Sequence, residues 1–119
     1  MASKKITMYS EKQHEFSYLK ERICSKLREN PGADFESETV YELGETKVMM
    51  LLFDCWYIRI GSHVGLTILI TEYHGCQSAD IISIGGKEKF FSFGAEADFA
   101  SHGEDILREL GFLSKVNHK

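Results

Sequence analysis

The fold is decided by the stretch from Lys47 to Phe93, which reads KVMMLLFDCWYIRIGSHVGLTILITEYHGCQSADIISIGGKEKFFSF. It is rich in β-branched and aromatic residues, which favour strands, and Gly, Ser and His interrupt it at turn-like intervals. The pattern predicts three strands here, and Phe35 to Leu43 alternates loosely enough to form a fourth before them. The three predicted strands of the quoted stretch are Val48 to Ile60, Val64 to Tyr73 and Gln77 to Ile84.

A helix is predicted before the strands. Ser10 and Gln13 have the spacing of a capping box, in which the serine caps the first turn and the glutamine side chain returns to it. The apolar residues that follow recur at steps of three and four, which is the pattern of one helical face. They are Phe16, Leu19, Ile23 and Leu27. Asn30-Pro31-Gly32 is expected to end the helix, because proline cannot continue it.

A second helix is predicted after Gly94. Phe99, Ile106 and Leu110 lie on one stripe, although Gly103 within it weakens the case for an unbroken helix. Gly111 is placed as the residue after the helix, and Phe112 can then close a Schellman-type contact. The chain therefore predicts a two-layer α+β sandwich, in which a four-stranded antiparallel meander is flanked in sequence by an N-terminal and a C-terminal helix (α-β-β-β-β-α).

The length of 119 residues predicts a single domain, residues 1–119, with an ordered core at 10–112 and a frayed tail at 113–119. Lys4 to Tyr9 is expected to be a short strand or an arm. A hydrophobic content of 43% is enough for one core without disulfides or a metal.

Short hairpin connections also predict which residues share a face of the sheet. If Gly61-Ser62-His63 sets Ile60 opposite Val64, and His74-Gly75 sets Tyr73 opposite Cys76, one face is mainly aliphatic and seats the helices. It would carry Leu52, Trp56, Ile58, Ile60, Leu66, Ile68, Ile70, Ala79 and Ile81. The other face would be mixed, with Phe53, Cys55, Tyr57, Thr71, Tyr73 and Ile82 among its residues. A mixed face can be an interaction surface, or it can simply be enriched in strand-forming residues.

Composition argues against several classes of partner. The net charge is −4 and no basic block is present, so nothing favours nucleic acid. The N-terminus lacks an apolar segment and the longest apolar run is Val48 to Phe53, so neither a signal peptide nor a membrane span is expected. Three cysteines at irregular spacing fit a reducing cytosol better than a secreted scaffold.

The residues that could carry chemistry are scattered by the expected register. Cys55, His63, His74 and Cys76 would lie too far apart for one zinc ion, so no metal or other cofactor is predicted. Cys76 has a nearby base in His74, but a turn histidine is more often solvated. No catalytic residue is assigned.

The loop Gly85-Gly86-Lys87 has two interpretations. Successive backbone N–H groups beside a lysine can hold a carboxylate or phosphate, and a glycine pair can equally be a bulge or a turn. The glycine pair, followed by an aromatic segment and a final acidic helix, resembles a family of small uncharacterised bacterial proteins over about Glu11 to Leu110. The resemblance is carried by Tyr41, Leu43, Gly44, Gly85, Gly86, Phe90, Phe91 and Gly94. It implies the fold and brings no activity or catalytic residue with it.

We therefore expect a cytoplasmic, non-catalytic protein-interaction or chaperone-like module that acts as a homodimer. Its binding surface would be the mixed face, with Phe53, Tyr57, Thr71 and Tyr73 as anchors. The alternative is a sensor of a small anionic metabolite, with a cleft between sheet and helices and the loop Gly85-Gly86-Lys87 taking part. An enzyme of unknown reaction ranks third.

Overall fold

The computed structural model describes residues 3–57, 61–85 and 95–114. Two helices and six strands are present in these ranges. In chain order they are β1 (Ser3–Ser10), α1 (Phe16–Leu27), β2 (Ala33–Leu43), β3 (Thr46–Tyr57), β4 (Ser62–Tyr73), β5 (Cys76–Gly85), α2 (Ala95–Glu109) and β6 (Leu113–Ser114). The architecture is α+β, as predicted.

The sheet is antiparallel throughout and has the strand order β2-β3-β4-β5-β1-β6. The predicted four-stranded sheet is therefore wrong in strand number, although the helices do flank the meander β2 to β5 in sequence. The first addition is β1, which pairs with β5 along its whole length, from Ser3 opposite Ile84 to Ser10 opposite Gln77. The second is β6, where Leu113 and Ser114, at the start of the tail expected to be frayed, pair with β1.

The first helix starts later than the capping box predicts. Ser10 ends β1, and its Oγ accepts a hydrogen bond from the Lys12 backbone N–H at 3.1 Å. Glu15 takes the N-cap position without a side-chain hydrogen bond. The Ser10 cap is wrong because the serine is held in the sheet, but the apolar stripe is confirmed, since Phe16, Leu19, Ile23 and Leu27 are all buried.

The second helix ends as the glycine predicts. The Phe112 N–H donates to the Leu107 carbonyl at 3.0 Å and the Gly111 N–H donates to the Arg108 carbonyl at 3.1 Å, which is the Schellman pair of bonds. Gly111 has φ +101°, which an L side chain rarely adopts. Gly103 does not break the helix; it faces the sheet, and a Cβ there would lie 3.4 Å from Ile81 Cγ2.

Both helices pack on one face of the sheet, and the core lies between the two layers. The sheet contributes alternate residues of β1, β3, β4 and β5, and the helices contribute their apolar stripes together with Phe99 and Leu107. The sheet residues of this core are Met8, Met49, Leu51, Phe53, Cys55, Val64, Leu66, Ile68, Ile70, Ala79 and Ile81.

The β4–β5 register is confirmed and the β3–β4 register is wrong. Tyr73 lies opposite Cys76, as expected, so Leu66, Ile68, Ile70, Ala79 and Ile81 do seat the helices. Val64, however, lies opposite Cys55 and not Ile60, a shift of five residues along β3. Because the side-chain period of a strand is two, an odd shift moves every β3 side chain to the other face. Residues 58–60, expected to continue β3, lie outside the described ranges.

Candidate functional site

The face of the sheet that points away from α1 and α2, here called the open face, is the candidate site. Along β4, fully buried residues on the helix side alternate with half-buried or exposed residues on the open face. In the described parts of the chain, neither helix covers it. The open face carries Lys5, Thr7 and Tyr9 of β1, Met50, Leu52, Asp54 and Trp56 of β3, Thr67, Leu69, Thr71 and Tyr73 of β4, and Cys76, Ser78, Asp80, Ile82 and Ile84 of β5.

The centre of the open face is apolar. Met50 lies directly opposite Leu69, and both are only half-buried. In the next row, Thr67 of β4 lies between Leu52 of β3 and Ile82 of β5. Trp56 at one end is 43% exposed, and Tyr73 at the other end is 53% exposed. A contiguous surface of this kind is typical of a contact with another molecule.

The carboxylates of the open face have partners within it. Asp80 accepts a hydrogen bond from Thr7 Oγ1 at 2.7 Å, across the β1–β5 pair. Asp54 Oδ2 lies 2.5 Å from His63 Nδ1, and the His63 ring packs against Trp56 with the centroids 4.9 Å apart. Each of these two carboxylates therefore has a hydrogen-bond partner within the face.

The Asp54–His63 pair has the geometry that orients a histidine as a general base, because the carboxylate holds Nδ1 and leaves Nε2 outward. Nucleophilic catalysis would also need a hydroxyl or thiol within hydrogen-bond reach of that ring. In the described ranges the His63 ring is hydrogen-bonded to the Asp54 carboxylate. The structure therefore places an oriented histidine beside Trp56 on the open face.

Two of the four expected anchors lie on the open face and two do not. Thr71 and Tyr73 are there, because the β4–β5 register is right. Phe53 is 4% exposed beneath the helices, and the Tyr57 ring packs against Phe99 with centroids 6.2 Å apart. The expected placement of Phe53 and Tyr57 on this face is wrong, for the odd shift in β3 turns both inward. The same shift brings out Leu52 and Trp56, which had been expected in the core.

A hollow of about 480 Å³ lies at the Tyr73 end of the open face. Tyr9, Thr71, Tyr73 and Cys76 line it, together with His74 in the β4–β5 turn. The His74 Nε2 atom is 2.8 Å from Glu45 Oε1, so this histidine pairs with a carboxylate and not with the Cys76 thiol beside it.

The three cysteines are all free, and they differ in surroundings. Cys24 and Cys55 are buried, and burial raises the pKa of both thiols above its ordinary value. For Cys55 the neighbouring Asp54 carboxylate raises the pKa further. Cys76 is exposed. In the described ranges, no group of three or more His, Cys, Asp or Glu side chains lies close enough together to hold a metal ion.

A buried polar network closes one end of the helix-covered side. Glu72 is 8% exposed, and its carboxylate accepts hydrogen bonds from Gln13 Nε2 at 2.7 Å and Gln77 Nε2 at 2.8 Å. The Gln77 amide also bridges to the His14 backbone, donating to its carbonyl at 2.8 Å and accepting from its N–H at 3.2 Å. These bonds anchor the segment between β1 and α1 to the sheet, which gives Gln13 a structural role in place of the predicted capping one.

The expected anion loop is described only at its first residue. Gly85 ends β5, is buried and lies opposite Val64. Gly86 and Lys87 lie outside the described ranges. A separate cleft of about 630 Å³ runs between β1 and α2, and Lys4, Lys5, Thr7 and Ser101 are among its lining residues.

Fold and site together define an α+β protein in which a six-stranded antiparallel sheet has two helices on one face and a largely apolar open face. No helix in the described residues is long and apolar enough to cross a membrane. The chain belongs to a family of unknown function, DUF6054, whose model matches residues 1–111. The resemblance to a family of uncharacterised proteins is thereby confirmed. Comparison with curated proteins and with solved structures finds no match.

Proposed function

We propose that the protein is a non-catalytic binding module that acts as a homodimer, with the open faces of two copies packed together. The observation that carries the proposal is the apolar centre of that face, where no helix of the described ranges covers Met50, Leu52, Leu69 and Ile82. Closed two-fold pairs are the commonest oligomers, and one self-complementary face is enough to form them.

The charges of the open face support burial against a partner. An interface that buries a carboxylate without hydrogen-bond partners is costly, since a desolvated ion loses several kcal/mol of hydration. Here Asp80 already accepts from Thr7 and Asp54 already pairs with His63. Two copies that meet over the apolar centre therefore leave each of these carboxylates with a hydrogen-bond partner.

The same proposal places the module in the cytoplasm, as a protein-interaction or chaperone-like component. Its support is the state of the cysteines: Cys24, Cys55 and Cys76 are all free. Free thiols persist in reducing compartments, whereas secreted domains of this size tend to pair them.

Light scattering coupled to size-exclusion chromatography tests the homodimer. Leu69→Lys puts an ammonium at the centre of the open face and is expected to convert a dimer to a monomer. The matched control is Tyr18→Lys, because Tyr18 is also an exposed apolar residue but lies on α1. A wild-type protein that elutes as a monomer at every concentration would overturn the proposal, as would a Leu69→Lys variant that keeps a native circular dichroism spectrum and remains a dimer.

A second candidate function is the sensing of a small anionic metabolite. The supporting observation is the cleft between β1 and α2, where Lys4 and Lys5 supply positive charge and Glu104 is engaged by Arg108 and Ser114. A thermal-shift screen of phosphorylated and carboxylated metabolites tests this function. Stabilisation that disappears in Lys4→Ala/Lys5→Ala would support it, and a screen without any stabilising compound would leave it unsupported.

A further inference from the structure

The second feature that points to a partner is the free edge of the sheet at β2. This strand of eleven residues is the terminal one, paired with β3 on one side only. No strand in the described residues pairs with its outer edge, and every residue after Ala33 is exposed. The outward N–H and C=O groups of such an edge are a template for another strand.

The side chains of β2 lack two of the usual protections of an edge strand, lysine and proline. Natural edge strands are often shortened or carry lysine or proline. This one is long, contains no lysine, arginine or proline, and bears apolar side chains that are between 42% and 65% exposed. Those side chains are Phe35, Val40, Tyr41 and Leu43. A bulge between Phe35 and Ser37 is the single irregularity in its pairing with β3.

The charges of β2 are all of one sign. Asp34, Glu36, Glu38 and Glu42 are acidic, and the strand has no cation. Lys20 of α1 lies 2.6 Å from Glu38, while the other three carboxylates make no ion pair in the described residues. A second copy added through β2 would set these carboxylates against the same four of its own, and like charges across a strand pair are destabilising. A partner strand that complements the charge of β2 is therefore basic.

A recess beside the start of β2 adds a place for an apolar side chain. It has a volume of about 160 Å³, and Cys24 and Leu27 of α1 line it together with Phe35 and Phe53. The two phenylalanine rings pack with their centroids 5.5 Å apart. Strand addition beside a helix commonly combines backbone hydrogen bonds with pockets for alternate side chains of the added peptide.

We propose that the outer edge of β2 binds an extended, lysine- or arginine-rich segment of a partner protein, which adds to the sheet as a further antiparallel or parallel strand. Backbone hydrogen bonds hold the segment, and an apolar side chain enters the recess at Phe35. The segment has cations on both of its faces, because β2 carries Asp34 on the open face and Glu42 on the helix side. The site is distinct from the open face, since an edge presents its hydrogen-bonding groups in the plane of the sheet.

The test is fluorescence anisotropy with a labelled synthetic peptide in which pairs of lysines alternate with pairs of valines, so that both faces of the added strand carry cations and apolar side chains. Wild-type protein is expected to bind it, more tightly at low salt, and Glu36→Lys/Glu42→Lys is expected to weaken binding by about tenfold or more. The matched control is Glu11→Lys/Asp105→Lys, which changes the net charge equally at exposed positions away from β2. It is expected to bind within about twofold of wild type.

Three results would overturn the proposal. The first is equal weakening by the two double variants, because binding would then follow net charge and not the edge. The second is unchanged binding of a peptide in which every backbone nitrogen is methylated, since that peptide keeps its charge but has no backbone hydrogen-bond donor on either edge. The third is self-association of the wild type that Glu36→Lys/Glu42→Lys alters. Leu69→Lys, which tests the open face, is expected to leave peptide binding unchanged, so the two proposals fail separately.

Discussion

Gly32 fixes the position of Trp56, and its substitution gives a sharp test of the described structure. Gly32 has φ +87°, and a Cβ built there would lie 2.9 Å from the Trp56 carbonyl oxygen. Its own carbonyl accepts the Trp56 N–H at 3.1 Å. Gly44, in the β2–β3 turn, is the matched control, because it has φ +60° and open space where a Cβ would be.

The two alanine variants share one cost and differ in another. A left-handed conformation costs an L residue about 1–2 kcal/mol. Alanine also lowers the conformational entropy of the unfolded chain, which offsets about 0.4–1 kcal/mol of that cost. Gly44→Ala is therefore expected to lower the free energy of unfolding by about 1 kcal/mol. Gly32→Ala must also move backbone away from the new methyl group and strain the Trp56 hydrogen bond. Leaving such a bond unmade costs about 1–3 kcal/mol, so the total is about 2–4 kcal/mol.

Urea unfolding measures the difference. It is followed by far-ultraviolet circular dichroism and by the fluorescence of Trp56, the one tryptophan of the chain. With a urea dependence of about 1–3 kcal/mol per molar, the midpoint of Gly32→Ala is expected to fall about 1 M below that of Gly44→Ala. Equal midpoints would refute the close approach of Gly32 to Trp56, and with it the placement of Trp56 at the end of the open face.

Three further predictions concern the core, the polar network and the thiols. Gly103→Ala is expected to be neutral or to stabilise by up to about 1 kcal/mol in thermal unfolding, because helix propensity improves while the new methyl meets Ile81 at 3.4 Å. Gly103→Leu is expected to destabilise by about 1–3 kcal/mol or more, and a stable leucine variant would contradict the tight helix–sheet contact. Gln77→Ala is expected to lower the free energy of unfolding in urea by about 2–4 kcal/mol, because it removes one donor to buried Glu72 and two bonds to the His14 backbone. A loss below about 0.5 kcal/mol would show that the network is not formed. Alkylation by iodoacetamide at mildly alkaline pH is expected to modify Cys76 quickly and Cys24 and Cys55 slowly, because burial raises the pKa of the latter two thiols and leaves less thiolate. Mass spectrometry measures the modification, and rapid modification at all three cysteines would contradict the burial of Cys24 and Cys55.

The β4–β5 hairpin could be predicted from the sequence because its signals agree. His74-Gly75 is a two-residue turn, in which both residues have positive φ, and the flanking strands alternate. The register of Tyr73 with Cys76 followed, and with it the correct placement of Thr71 and Tyr73. The Schellman end of α2 was predictable for the same reason, since Gly111 and Phe112 carry a local signal.

The face of β3 could not be predicted, because this strand is apolar on both sides. Met49, Leu51 and Phe53 face the core, while Met50 and Leu52 face outward, so hydrophobicity does not distinguish the two parities. The predicted register therefore depends on the turn residues at Gly61. It is wrong by five residues, and an odd shift exchanges the two faces of the strand. The position of β1 was unpredictable for another reason: its pairing with β5 is long-range and has no connecting turn to announce it.

The two proposed surfaces rest on different forces and can be told apart by salt. Contact through Leu52, Leu69 and Ile82 is driven by apolar burial, which moderate salt changes little. Contact along Asp34, Glu36 and Glu42 is driven by exposed charges, whose attraction is screened over about 10 Å at 0.1 M salt. Packing two open faces together leaves the edges of both sheets at the periphery. A homodimer that persists at high salt while the basic peptide dissociates would therefore assign self-association to the open face and partner recognition to β2.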